Sequence, residues 1–283
     1  MMHDYFIQIV TLIGIYSILV IALNLAIGFT GLVNLGHMVF FGIGAYTSAI
    51  LTLHGVPWYI AIFAAGIMAS FLGAIIAAIT VRLKGDYFAM VTLGLAFIAI
   101  AVSRNWISLT RGALGIPGVP AILKDNLYYM LFTLAVALIC AVLSYMLVKS
   151  ETGRIFQAIR DDETAVAILG KNTYFYKILS IAISTFFAGI AGSLFVHHIQ
   201  FIDPTIFGLE FFVVILSMLI AGGLASIIGS VVGVSLLYII SESLRFVVVS
   251  PSLIGAVREM LFAVVLIIIL LVKPRGIFGK VDV

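Results

Sequence analysis

From residue 5 to residue 27 the chain carries no charged side chain, and stretches of the same kind recur almost to its end. About 20 apolar residues in helical conformation cross the hydrocarbon core of a bilayer, since each adds ~1.5 Å along the axis. The recurrence therefore sets the fold class. Hydrophobic residues make up 64% of the sequence and charged residues 10%, against roughly 25% charged in a soluble domain, so a water-facing surface of ordinary size cannot be built. The expectation is an all-α polytopic integral membrane protein with about 8–10 transmembrane helices. A chain of 283 residues holding that many spans has no length left for a soluble unit, so 1–283 is read as one transmembrane domain.

In order, spans are expected at 5–27, 38–53, 58–81, 87–103, 127–148, 174–198, 209–221, 230–246 and 256–272. The start, MMHDYFIQIV, has neither a basic n-region nor a small-residue cleavage site, so the first run reads as a retained helix. After it, GFTGLVNLGH at 28–37 interrupts the apolar pattern with Gly28, Gly31 and Gly36. Such a break survives in hydrocarbon only where its backbone is buried in protein or lines an aqueous cavity. Gly42, Gly44, Ala45, Thr47, Ser48 and Ala49 give the second span a small-residue face for close helix packing. Gly222, Gly223, Gly229 and Gly233, with Ser226 and Ser230, read the same way; no strand precedes them, as a nucleotide loop would need. Residues 104–126, with Gly112, Gly115, Gly118, Pro117 and Pro120, form an irregular loop, and in 199–208 Asp203-Pro204 ends the preceding helix.

Charge clusters densely in one place only, KSETGRIFQAIRDDETAVAILGKNTYFYK at 149–177. There Asp161, Asp162 and Glu163 precede the apolar Ala165, Ile168 and Leu169, and Gly170 follows. Acids suit the N-terminal end of a helix dipole, and glycine takes the left-handed position beyond its last turn. A capped helix of roughly two turns, about 12 Å long, is expected. Its apolar face is too small to anchor in lipid; it fits either a groove on another protein or a plain solvated loop, and both readings stay open.

Basic residues orient the chain. With 149–177 inside, ten fall inside (Arg82, Lys84, Lys149, Arg154, Arg160, Lys171, Lys177, Lys273, Arg275, Lys280) and five outside (Arg104, Arg111, Lys124, Arg245, Arg258). Cytoplasmic loops hold the Lys/Arg excess, which puts the C-terminus in the cytoplasm. The net charge of +3 is a matter of orientation, and no nucleic-acid partner is expected.

No Gly-x-x-x-x-Gly-Lys-[Ser/Thr], His-Glu-x-x-His or Gly-x-Ser-x-Gly occurs, so no catalytic residue, enzyme activity or cofactor is expected. His197, His198 and Asp203 lie close in sequence but sit at a span end, where polar residues belong to the interface; no metal site is assigned. Cys140 is the sole cysteine and forms no internal disulfide. Asn24, Asn34 and His37, with Tyr46 on the same span as His37, are candidates for a substrate pathway, because polar groups at membrane depth are costly. A helix starting after the break would aim free N–H groups at an anionic substrate. Hydrogen bonding to neighbouring helices explains them equally well.

Six blocks, GFTGLVNLGHMVFFGIGAYTSAIL, RLKGDYFAMVTLG, LTRGALGIPGVP, GRIFQAIRDDETAVAILGKN, FFAGIAGSLF and KPRGIFG, in this order, resemble the LivM-type permease subunit of high-affinity branched-chain amino-acid ABC importers. The resemblance implies a type II ABC importer permease architecture in the inner membrane. It implies as partners a second, related permease chain, two cytoplasmic ATPases, an extracytoplasmic binding protein and membrane lipid. Arg160, Asp161, Asp162, Glu163, Ala165, Ala167 and Gly170 would form the ATPase-coupling helix. Thr164 departs from that helix's motif, and Ala225 and Ser230 depart from the usual Gly and Pro. Urea and short-chain amide importers use closely similar permeases. The competing class is a self-sufficient secondary carrier, for which the candidate carboxylates Glu210, Glu242 and Glu259 all lie near span ends.

Overall fold

A computed structural model describes residues 2–83, 85–123, 125–243, 254–273 and 275–279. Lys84, Lys124, Arg245 and Lys280 lie outside these, as do the side chains of Arg258 and Glu259. The fold is the all-α polytopic one expected. Its helices are α1 (Met2–Asn24), continued by a π-turn (Leu25–Phe29), α2 (His37–Leu53), α3 (Trp58–Thr80), α4 (Asp86–Asn105), the short α5 (Ile107–Thr110), α6 (Asn126–Lys149), α7 (Glu151–Ile168), α8 (Thr173–Ile199), α9 (Leu209–Gly222), α10 (Ile227–Ser243) and α11 (Ile254–Val272). Among the described residues, α1 with its π-turn, α3, α4, α6 and α8 are long and apolar enough to cross a membrane; α2, α9 and α10 are shorter apolar helices.

Small residues decide how these helices meet. In lipid the apolar side chains gain little by leaving their surroundings, so close backbone approach and interhelical hydrogen bonds hold a bundle together. Gly189 of α8 shows this most sharply: a Cβ there would stand 2.6 Å from the Ala65 carbonyl oxygen of α3, while Gly44 of α2 presses on its opposite side. Gly192 admits the Phe41 carbonyl in the same way, and Gly222 packs directly on Gly229 where α9 meets α10. The small-residue faces read from the sequence therefore do pack against neighbouring helices. Around this seam the rings of Tyr16, Phe41, Phe195 and Phe211 cluster at centroid distances of 5.4–6.5 Å.

Three local expectations change. α8 stops at Gln200, which takes a left-handed conformation (φ 59°), and Asp203-Pro204 begins an element instead of ending one. Asp203 accepts from Thr205 N–H at 2.6 Å and caps a 3-10 turn, Pro204–Phe207, whose first position tolerates proline because its N–H has no helical partner anyway. The 104–126 region is more ordered than an irregular loop. It holds α5, a 3-10 turn (Gly112–Leu114) and β1 (Ile116–Pro117), which pairs antiparallel with β2 (Phe201–Ile202). Positive φ at Gly112, Gly115 and Gly118 lets the chain fold that tightly. Finally, α7 is longer than two turns: Ser150 caps it, and Gly153, Phe156 and Ile159 give it a buried stripe.

Three of the basic residues expected inside lie toward one end of the bundle. Arg82 lies over the Tyr174 ring, Arg160 meets the 28–36 break, and the Arg275 backbone meets Gly223, all at one end. The β1–β2 pair and the segment that ends α4 occupy the other. A labelling experiment in intact cells tests the sidedness. Cysteine at Leu114 (81% exposed) should react with a membrane-impermeant maleimide, and cysteine at the exposed Lys171 should react only with a permeant one. Labelling of Lys171→Cys from outside would reverse the orientation.

Candidate functional site

Charge and irregular backbone coincide at one end of the bundle. Inside α7, Asp162 leaves the helical region (φ −156°, ψ 99°), dividing it into two halves. Its carboxylate accepts from the N–H groups of Thr164 and Ala165 at 2.8 and 3.0 Å, so it is the cap of the second half, a contact worth about 1 kcal/mol. Gly170, at φ 79°, closes the far end. The cap and the glycine stop thus stand where sequence reading placed them, at the end of a longer, kinked element. Between them, Ile168 and Leu169 are 81% and 79% exposed, while Val166 is buried. Glu163 forms an ion pair with the buried Lys177 of α8 at 2.5 Å. Arg160 turns away from the exposed tip and donates to the Gly28 carbonyl at 2.8 Å. These contacts surround a polar cavity of about 440 Å³, lined by Thr30, Gly31, Asp86, Arg160, Asp162 and Lys177 among others.

The break itself is held by side chains. Asn24 is fully buried and uses both ends of its amide: Oδ1 accepts from Ala225 N–H at 3.0 Å, and Nδ2 donates to the Ser226 carbonyl at 3.0 Å and Ser230 Oγ at 2.7 Å. Ala225 sits at φ 57°, in the turn that interrupts α9 and α10. The first helix break and the second are therefore clasped by one residue. On the other flank, Ser184 donates to the Ala22 carbonyl at 2.6 Å, and Thr30 donates to Leu25 at 2.9 Å and meets Ser180 at 2.6 Å. Sequence reasoning picked out Asn24 as unusual. It missed the α8 hydroxyls, which serine and threonine spacing along an apolar helix only faintly signals.

Of the pathway candidates, the structure places Asn34 and Tyr46 on clefts and Asn24 and His37 away from them. Two adjoining clefts of about 240 and 510 Å³ lie between α2, α3 and α4, sharing Val39, Ile43, Leu72, Ala99 and Val102. Asn34 and Thr92 stand at one end of the pair, Tyr46, Thr47 and Ser103 at the other. Asn34 accepts from Gly36 N–H at 3.1 Å, and Thr92 accepts from Leu35 N–H at 3.1 Å, pinning α4 to the break. The Tyr46 hydroxyl is buried without a hydrogen-bond partner. His37 is 0% exposed; neither ring nitrogen reaches hydrogen-bond geometry, although the Leu19 carbonyl lies close by.

His197 has a structural setting. The Pro120 carbonyl, 2.8 Å from Nδ1, can only accept, so Nε2 accepts from Ser48 Oγ at 2.8 Å, and Ser193 donates to Ser48 at 2.7 Å. His198 stacks on Tyr129. Among the described residues no three His, Cys, Asp or Glu side chains gather as metal ligands.

Fold and site together define a polytopic membrane protein with two clasped helix breaks beside a capped, charged elbow. The chain belongs to the family described as "Branched-chain amino acid transport system / permease component", whose profile matches residues 5–270. It is 31% identical over 269 residues to the high-affinity branched-chain amino acid transport system permease protein LivM of Escherichia coli (strain K12), an alignment covering 84% of this chain and 63% of that protein. A probable branched-chain amino acid transport permease protein LivM of Methanocaldococcus jannaschii is 25% identical, covering 94% of this chain and 91% of that one. LivH of Salmonella typhimurium, the corresponding high-affinity permease protein, is 26% identical over 97% of this chain and 94% of its own length. The chain thus spans about 63% of the length of the E. coli LivM it matches. Among solved structures, PsaBC from Streptococcus pneumoniae in complex with Fab shares the fold, with a TM-score of 0.51, 18% identity and coverage of 96% of this chain and 93% of that one. The LivM-type resemblance of the six sequence blocks is thereby shown.

The clasp predicts a stability effect. Asn24→Ala should strand the Ala225 N–H in a buried site, at about 1–3 kcal/mol for the group left unsatisfied, while the Ser226 carbonyl keeps the Ser230 N–H as donor. Thermal unfolding of the detergent-purified protein should show a clearly lowered midpoint, and an unchanged midpoint would remove the clasp from the account.

Proposed function

We propose that this chain is the membrane-spanning permease subunit of an ATP-binding cassette importer that carries leucine, isoleucine and valine into the cell. Its partners are a second, related permease, two cytoplasmic ATPases and an extracytoplasmic binding protein, and its C-terminus faces the cytoplasm. The observation that carries the reading is the tip of α7. Two large aliphatic side chains, Ile168 and Leu169, stand out exposed from a capped turn among charges, a setting that water disfavours. A groove on an ATPase is the occupant this reading assigns to them. Glu163, Asp162 and Gly170 shape the tip, and Ala165 and Ala167 keep it slim.

The cargo assignment rests on the family description and on the lining of the α2–α4 clefts. Their walls are almost wholly aliphatic and aromatic, which suits a branched hydrocarbon side chain better than urea or a short amide. Asn34 and the unpaired Tyr46 hydroxyl, one at each end of the pair of clefts, are the groups this reading assigns to the charged amino-acid backbone. Glu242, in the last turn of α10, accepts from Tyr5 at 2.6 Å, and the cleft it borders is otherwise walled by Phe6, Ile9, Val10, Ile13, Ile239 and Ser243, with no second carboxylate among these described residues to share a coupling ion.

Reconstitution separates the readings. The complete importer should take up leucine only with ATP on the cytoplasmic side, and the chain alone should take up none under any ion gradient. Ile168→Asp should abolish co-purification of the ATPases without preventing membrane insertion. Asn34→Leu should lower import several-fold with assembly intact. Uptake by the chain alone would establish a carrier, and ATP-driven uptake of urea but not leucine would replace the cargo.

A further inference from the structure

Arg160 makes contacts that docking an ATPase does not require. It lies in the half of α7 that precedes the Asp162 break, and its side chain is only 17% exposed. Nη1 donates to the Gly28 carbonyl, in the π-turn that ends the first helix, where carbonyls have lost their helical successors and carry the negative end of the dipole. Its aliphatic stem lies across the break: Gly31, at φ 75°, packs so closely that a Cβ there would stand 3.0 Å from Arg160 Cγ. Gly28 in turn abuts the second break, since a Cβ on it would stand 2.6 Å from Ala225 N. Ala225 N is the group that Asn24 holds. One unbroken line of contacts thus runs from α7 through Gly28 to both interrupted helices.

The two halves of α7 have different anchors. The half after Asp162 is tied to α8 by the Glu163–Lys177 ion pair, and the half before it is tied to the break by Arg160. Asp162 joins them two residues beyond Arg160, so a displacement of the capped half reaches Arg160 along the backbone. We infer that Arg160 is the positioning residue through which movement of α7 is passed to the paired helix breaks, its hydrogen bond to the Gly28 carbonyl being the link that ties ATP hydrolysis to transport. This rests on the proposed function. Its ion pair with Asp161 does not account for the burial, because that carboxylate is 66% exposed and such surface pairs contribute little.

The test uses the whole importer, purified through a tag on this chain and reconstituted in liposomes with leucine as the probe. R160M should retain its ATPases and hydrolyse ATP at near wild-type rate. Leucine imported per ATP should fall by roughly tenfold or more, the scale set by losing one charge-assisted hydrogen bond. R160K, whose ammonium can still donate to the carbonyl, should recover part of that ratio. Amide exchange at Gly31 and Ala225 should quicken in R160M, a change that loss of docking would not produce. If R160M is not recovered from membranes, R160Q is read by the same ratio. An unchanged leucine-to-ATP ratio would overturn the inference. So would loss of the ATPases from R160M, which would place Arg160 in the docking surface, or unaltered exchange at both breaks. A wild-type complex that holds no ATPase, or that imports without ATP, would instead remove the proposed function and this inference with it.

Discussion

No peptide group inside hydrocarbon can be left without a partner, and the rest of this structure follows from how that demand is met at two interrupted helices. An unsatisfied group costs several kcal/mol where water is absent. The first helix is interrupted between its π-turn and α2, the second between α9 and α10. Each interruption alone leaves donors and acceptors exposed. Brought together, the first serves the second through a single amide, because Asn24 offers both an acceptor and donors in one plane and meets Ala225, Ser226 and Ser230 at once. An aspartate or a leucine of similar size lacks that pair of functions.

α8 provides the other half of the solution by presenting two kinds of surface. One carries glycines that admit the backbones of α2 and α3, and another carries Ser180 and Ser184, whose hydroxyls serve the end of the first helix. Serine and glycine cost little volume, so both surfaces fit on one helix buried along most of its length. α4 is the contrast. It is pinned to the bundle at Leu35–Thr92, buries Phe88 and Ala96, and leaves apolar clefts against α2 and α3.

The spans, the small-residue faces and the cap at Asp162 were legible in the sequence because each is a local signal: a run of apolar residues, a glycine spacing of three or four, an acid before a helix and a glycine after it. The first half of α7 was not, since its buried stripe of Gly153, Phe156 and Ile159 is short and set among charges. Asp203-Pro204 was misread for a related reason. Proline forbids a helix before it and favours one after it, and only the left-handed turn at Gln200 shows that α8 has already ended. Of the site, the polar residues at depth were visible but their partners were not. Asn24 and Ser230 are separated by 206 residues, and nothing in a single sequence reports such a pairing.

The distribution of charge completes the argument. A chain with 10% charged residues places several of them around one polar cavity, where Arg160, Glu163 and Lys177 each have a defined partner. A loop that merely stayed soluble would leave its charges in water, as Asp161 largely does, and would have no use for a buried lysine. Burying Lys177 is tolerable because Glu163 neutralises it, and the pair fixes the base of the turn that carries Ile168 and Leu169. The elbow is thus rigid where it meets the bundle and apolar where it leaves it. Under the proposed function, force from an ATPase at the tip enters the bundle through this base, and the break whose Gly28 carbonyl Arg160 holds is the backbone proposed to receive it.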